Sequence, residues 1–206
     1  MKCIILAGGF ATRLWPITLH RPKSLLPVAG KPVIEYVLDA VTQAGLAQDD
    51  IYIATVTAFE RDFVDYCTQS EYPQVKVIVE QARHEAEKPG ALAGLLAALE
   101  DDEDYLLLAG DNVFDFELKD LLAVDSDAVV TLYDIQDIAA ARMYGLATID
   151  DQRFVKSFVE KPSKPQSTLI STACYFWRRE FGLRERLMDY LQQGGSPDAI
   201  GRFLAW

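Results

Sequence analysis

Short apolar runs alternate with stretches of helical spacing through the first two thirds of the chain. Residues 2–6 hold Cys3, Ile4, Ile5 and Leu6 without a break and predict a strand. Apolar positions then recur at Val33, Val37, Val41 and Ala44, one face of a helix; Pro32 suits its opening and Gly45 its end. Residues 51–55 (Ile-Tyr-Ile-Ala-Thr) predict a strand, 59–69 a helix, 75–79 (Val-Lys-Val-Ile-Val) a strand and 91–99, rich in Ala and Leu, a helix. Residues 105–109 (Tyr-Leu-Leu-Leu-Ala) are continuously apolar, as expected of a strand covered on both faces, and another strand follows at 127–132.

Beyond residue 144 the rhythm changes. Residues 145–150, 153–159 and 170–177 predict β segments with no long helix between them, and 179–192 predicts a helix ending at Gly194-Gly195. A last helix is expected from Pro197. Strands alternating with helices argue for an α/β fold: a mostly parallel sheet, helices on both faces, and antiparallel additions along one side. In such a sheet ligands bind beyond the carboxyl ends of the strands. The polar residues that follow strands, Gly8 to Arg13, Gln81, and Gly110-Asp111, are therefore expected to cluster.

Composition narrows the picture. A chain of 206 residues, half of them hydrophobic, predicts a single domain over 1–206 with a proper core. No apolar run approaches the ~20 residues of a membrane span, and the N-terminus reads as a first strand rather than a signal. A net charge of −11 argues against nucleic acid as a partner. Any anionic ligand must then be held by a few local cations. Cys3, Cys67 and Cys174 are widely spaced and read as reduced core thiols, the pattern of a cytoplasmic protein, with no zinc spacing; His20 and His84 are isolated.

The first strand runs into Leu6-Ala7-Gly8-Gly9-Phe10-Ala11-Thr12-Arg13-Leu14-Trp15-Pro16, with Arg21-Pro22-Lys23 soon after. Two glycines at a strand end let backbone N–H groups face an anion. Alone they fit a tight strand-to-helix turn better. Arg13 and Lys23 change the balance, because two cations close to one turn of an acidic protein imply a shared anion. Asp111, in Ala109-Gly110-Asp111-Asn112, follows an apolar strand. It fits either a turn-capping Asp or a Mg²⁺ ligand, since Mg²⁺ takes one or two carboxylates with phosphate oxygens and water. Asp115 on the same loop reads as a cap or surface carboxylate.

These segments, continued by Arg21-Pro22-Lys23-x-Leu25-Leu26-Pro27-Val28-x-Gly30-Lys31-Pro32, resemble the signature of the sugar-1-phosphate nucleotidylyltransferases, particularly glucose-1-phosphate thymidylyl- and uridylyltransferases. The resemblance implies a Rossmann-like α/β fold and transfer of a nucleotidyl group from a nucleoside triphosphate to a sugar 1-phosphate. It implies Arg13, Lys23 and Asp111 as catalytic residues, Asp111 holding Mg²⁺, and Leu6, Gly8, Gly9, Thr12 and Arg13 around the nucleotide. Glu80-Gln81 and Pro89-Gly90 suggest Gln81 at the base edge and Gly90 at a close backbone approach. Phe158-Val159-Glu160-Lys161-Pro162 and Tyr144-Gly145 are similar to the family's sugar site, implying Gly145, Glu160 and Lys161 around the sugar phosphate, bordered by Ser171 to Tyr175. Glucose 1-phosphate with a pyrimidine nucleotide is the first expectation, mannose 1-phosphate with GTP the second.

Two departures stand out. The family commonly has Gly where this chain has Ala11. The family also continues past the last helix into a strand with a second metal-binding Asp, which this sequence lacks; the site is therefore expected to be C-terminally short. The apolar end at Leu204-Ala205-Trp206 is expected either to be covered by a homo-oligomer or partner chain, or to continue into the rest of a longer protein of which this sequence is a piece. Two other readings remain at this point: a non-catalytic relative that binds nucleotide or sugar phosphate as a regulatory subunit, and a transferase with a non-sugar acceptor, such as phosphocholine or a molybdopterin-type cofactor.

Overall fold

Residues 1–82, 91–100, 102–197 and 200–206 are described by a computed structural model. The chain forms β1 (Lys2–Leu6), a minimal hairpin of β2 (Pro27–Val28) and β3 (Lys31–Pro32), α1 (Val33–Gln43), β4 (Ile51–Val56), α2 (Glu60–Gln69) and β5 (Lys76–Glu80). Then follow α3 (Ala91–Ala98), β6 (Tyr105–Ala109), α4 (Leu118–Leu122), β7 (Ala128–Asp134) and α5 (Ile138–Ala141). The last third holds β8 (Gly145–Ile149), β9 (Val155–Glu160), β10 (Leu169–Trp177), α6 (Leu183–Gln192) and α7 (Ile200–Ala205).

The main sheet runs β5-β4-β1-β6-β10-β8-β9, with β7 also paired to β10. β1 is parallel to both β4 and β6, and β4 is parallel to β5. β10 enters antiparallel beside β6, from Cys174 opposite Leu108 to Trp177 opposite Tyr105. It also pairs antiparallel with β7, so β7 runs in the same direction as β6. The predicted antiparallel additions are β10, β8 and β9, and they all lie on the β6 side of β1.

Side chains on a strand alternate between faces, and β1 shows the consequence. Cys3 and Ile5 pack with Val37, Leu38 and Val41 of α1 and Phe63 and Cys67 of α2. Ile4 faces the other way, with Leu92 and Leu95 of α3, Leu183 and Leu187 of α6, and Phe203 of α7. Helices therefore cover both faces. Each fully buried Leu or Ile contributes about 1.5–3 kcal/mol, which is why these strands tolerate no polar interruption.

Three local features depart from the predicted pattern. The helix expected over 179–192 is broken: Arg179–Phe181 is a 3-10 turn, Gly182 adopts φ 65°, and α6 starts at Leu183. A left-handed residue cannot continue a right-handed helix, and Gly takes that conformation without penalty. β10 carries a bulge, where the five residues from Ser171 to Tyr175 lie opposite the three from Leu132 to Val130, and Ala173 there has φ 53°. At the C-terminal end, the Trp206 ring meets Tyr190 at 5.7 Å and stacks on Phe203 at 6.4 Å, so the chain itself covers part of the apolar surface. Among the described residues no helix is long and apolar enough to cross a membrane.

Candidate active site

The two glycines of the loop after β1 have opposite surroundings. Ala7 N–H still bonds to Ala54 of β4, at 2.8 Å. Gly8 then backs onto β4, where a Cβ would lie 3.3 Å from Val56 Cγ1. A Cβ on Gly9 would meet nothing within 4 Å, so this backbone faces open space. Ala11 takes the left-handed conformation, φ 47° and ψ 45°. Its carbonyl accepts from Leu14 N–H at 2.8 Å and from the hydroxyl of buried Thr18 at 2.9 Å. The 3-10 turn Thr12–Leu14 that follows carries Arg13.

β6 brings the second half of the cleft. Gly110 N–H bonds to Leu6 carbonyl at 2.9 Å, and a Cβ on Gly110 would lie 3.1 Å from that oxygen. A larger residue would wedge β1 and β6 apart just where their ends meet. Asp111 is therefore delivered next to the glycine loop. Lys23, on the 3-10 turn Lys23–Leu25, forms an ion pair with Asp111. Both side chains are partly exposed, 44% and 35%. A cleft of about 270 Å³ results, lined by Leu6, Ala7, Gly9, Ala11, Arg13, Lys23, Ser24, Gly110 and Asp111.

Thus the structure brings Leu6, Gly9, Arg13, Lys23 and Asp111 into one cleft. Gly8 and Thr12 shape the loop without lining it. Gln81 is exposed beyond β5, two strands from β1 and about 10 Å across the sheet, so it does not join the lining. Gly90 lies outside the described residues. Among the described residues that line the cleft, Asp111 is the only carboxylate. Among the described residues no group of three His, Cys, Asp or Glu is placed to hold a metal ion.

The sugar-site residues form a second cluster. Gly145 pairs with Glu160 across β8 and β9. Lys161 N–H bonds to Tyr144 carbonyl at 3.0 Å, and Lys161 Nζ stands 3.6 Å from Glu160 Oε1. Lys161 is 65% exposed while Glu160 is only 20% exposed, so the ammonium reaches outward from a sheltered carboxylate.

The β10 bulge packs beside the first cluster through Asn112. Asn112, next to Asp111, donates from Nδ2 to Thr172 carbonyl at 2.7 Å, and the Thr172 hydroxyl pairs with that of Thr131. Tyr175 shares a 2.9 Å hydrogen bond with Ser171. Burial pushes the Tyr175 hydroxyl up to about 12; the Ser171 hydrogen bond opposes the shift and the Glu160 charge adds to it. Sequence reasoning gave no role to Asn112 or to buried Ser24. The one available signal for Asn112 was a carboxamide directly after the strand-end Asp, a residue type able to bridge two backbones.

Comparison with known proteins agrees with this architecture. A family profile described as nucleotidyl transferase matches residues 2–201. The chain is 30% identical to the UTP–glucose-1-phosphate uridylyltransferase AglF of Haloferax volcanii, over 97% of this chain and 87% of that protein. It is 31% identical to a glucose-1-phosphate thymidylyltransferase of Neisseria gonorrhoeae, over 100% of this chain and 77% of that one. The chain spans about half the length of several further curated relatives it matches. A crystal structure from Bacillus anthracis in complex with sucrose, designated a glucose-1-phosphate thymidylyltransferase, superposes with a TM-score of 0.75 at 25% identity, covering 94% of this chain and 75% of its own. With a profile match over nearly its whole length, this chain belongs to the nucleotidyl transferase family.

Proposed function

We propose that this chain transfers a nucleotidyl group from a nucleoside triphosphate to a sugar 1-phosphate, releasing pyrophosphate and an NDP-sugar. The observation that carries the reading is the convergence of Arg13, Lys23 and Asp111 on one cleft at the ends of β1 and β6. Family membership supports the reaction class. Relatives named for glucose 1-phosphate with UTP or a thymidine nucleotide support glucose 1-phosphate and a pyrimidine triphosphate as the substrates.

An oxygen of the sugar phosphate attacks the α-phosphorus, the bond from that phosphorus to the bridging oxygen of the β-phosphate breaks, and pyrophosphate leaves. The nucleophile is already an anion, so no residue need remove a proton. What remains for the protein is orientation and charge neutralisation. In a chain of net charge −11 these must be local. Arg13 neutralises charge growing on the departing pyrophosphate. Lys23 exchanges Asp111 for phosphate oxygens. The open backbone of Gly9 receives the triphosphate, and Gln81 lies across the sheet edge toward the base. Lys161 holds the acceptor phosphate, and Glu160 accepts hydrogen bonds from sugar hydroxyls.

Asp111 suits Mg²⁺ by the chemistry of its donor set: one carboxylate at the mouth of a cleft, with the remaining ligands left to phosphate and water. When bound there, the ion supplies charge neutralisation for the triphosphate. A cytoplasmic location fits the thiol usage. The test is pyrophosphate release with Mg²⁺, each nucleoside triphosphate and a panel of sugar 1-phosphates. Release with a pyrimidine triphosphate and glucose 1-phosphate is expected; nucleotide binding without release from any pair overturns the proposal.

A further inference from the structure

The Glu160 carboxylate is enclosed by glycines from two directions. Within the sheet, a Cβ on Gly145 would lie 2.9 Å from Glu160 Oε2 and 2.8 Å from the Phe158 ring. From outside, α7 packs across β9 and presents Gly201 to the same two side chains. A Cβ on Gly201 would collide with Glu160 Oε2 and lie 2.6 Å from Phe158 Cε1. Phe158 is itself buried, which leaves its ring little freedom to yield. Gly201 is the second residue of α7, where glycine is a poorer helix former than alanine and no left-handed turn demands it. Space for Glu160 is what this position supplies.

We infer that Gly201 is a positioning residue for the acceptor site: by admitting Glu160 Oε2 beneath α7, it turns Oε1 toward Lys161 Nζ, 3.6 Å away. The inference rests on the reading of Glu160 and Lys161 as the pair that holds the sugar phosphate. The carboxylate is thereby fixed before the sugar arrives, and its rotamer is not paid for on binding. A methyl group at 201 displaces the most movable obstacle, the end of the Glu160 side chain, and misaligns its hydrogen bond to the sugar.

The experiment compares wild type, Gly201→Ala, Glu160→Ala and the double variant, with steady-state kinetics, glucose 1-phosphate binding by calorimetry, and thermal melts. Gly201→Ala is expected to raise the KM and the Kd for glucose 1-phosphate roughly tenfold, the loss of about one hydrogen bond, with the nucleotide KM unchanged. In the Glu160→Ala background the same substitution is expected to add nothing to the acceptor KM or Kd, because its target there is gone, while its contact with the buried Phe158 ring still lowers the melting temperature. An unchanged acceptor KM in Gly201→Ala, or additive effects on that KM in the double variant, overturns the inference while leaving the acceptor-site reading intact. If Glu160→Ala itself leaves acceptor binding at the wild-type level, the acceptor-site reading falls, and the inference with it. Should Gly201→Ala fail to fold, a folded double variant supports the steric contact with Glu160, and an unfolded one assigns the failure to Phe158 and overturns the inference.

Discussion

Replacing Lys23 with Met removes one ammonium and keeps most of the aliphatic stem. Two unit charges 4 Å apart attract by about 4 kcal/mol at an effective dielectric of 20. The Lys23–Asp111 pair is 44% and 35% exposed, however, so water competes for both groups and salt screens them. Exposed pairs of this kind contribute about 0–1 kcal/mol. For a chain of this length such a loss lowers Tm by at most about 4 °C. Asp111 remains hydrated and is not left as a buried charge. The cost to turnover is of another order: removing one preorganised donor from a developing anion lowers kcat roughly 10²–10³-fold. Lys23→Met should therefore separate activity from stability. Pyrophosphate release and a thermal melt on the same preparation measure both. A Tm drop well beyond 4 °C with turnover within tenfold of wild type would show that Lys23 serves the fold rather than the reaction.

Three further outcomes follow from the geometry. Ala11→Gly relieves a left-handed alanine that costs about 1–2 kcal/mol, partly offset by the greater freedom of glycine in the unfolded chain; a gain of up to about 1 kcal/mol is expected in urea unfolding, and a loss would contradict it. Burial raises all three thiols, Cys67 to about 11 and Cys174 to about 12, so iodoacetamide at pH 8 should spare the native protein and label three sites per chain in guanidinium. Burial opposes ionisation of Asp39, yet its bonds from Lys31 and Tyr72 prevail and hold its carboxyl below the ordinary 3.8. That contribution is present above pH 3.8 and fades as the pH falls through the lowered folded-state value. The stability difference between wild type and Asp39→Asn should accordingly be seen at pH 7 and vanish in acid, as followed by urea titrations across pH.

Much of the α/β frame was legible because it rests on local patterns. Tyr105 to Ala109 could only be a strand buried on both faces, and Val37 and Val41 marked the buried side of α1. The loop and Asp111 were legible as neighbours because parallel strands put their carboxyl ends together. Elements set by distant partners were not. The entry of β10 between β6 and β7, and its bulge, depend on pairings roughly 40 to 70 residues apart in sequence. Asn112 reaches a carbonyl 60 residues away. Gly182 read as helix interior because its flanking residues favour helix, whereas its φ is fixed by the turn that redirects the chain from β10 into α6. Gln81 follows β5 but stands two strands from the loop, because β4 lies between β5 and β1, an order that local patterns do not fix.

The reaction itself is tested most directly by following the phosphorus atoms. The chain, Mg²⁺ and glucose 1-phosphate are incubated with UTP or thymidine triphosphate labelled at either the α- or the γ-phosphorus. Attack at the α-phosphorus places the α label in the NDP-sugar and the γ label in pyrophosphate. A γ label appearing in the sugar product, or released only as inorganic phosphate, would contradict nucleotidyl transfer at this cleft.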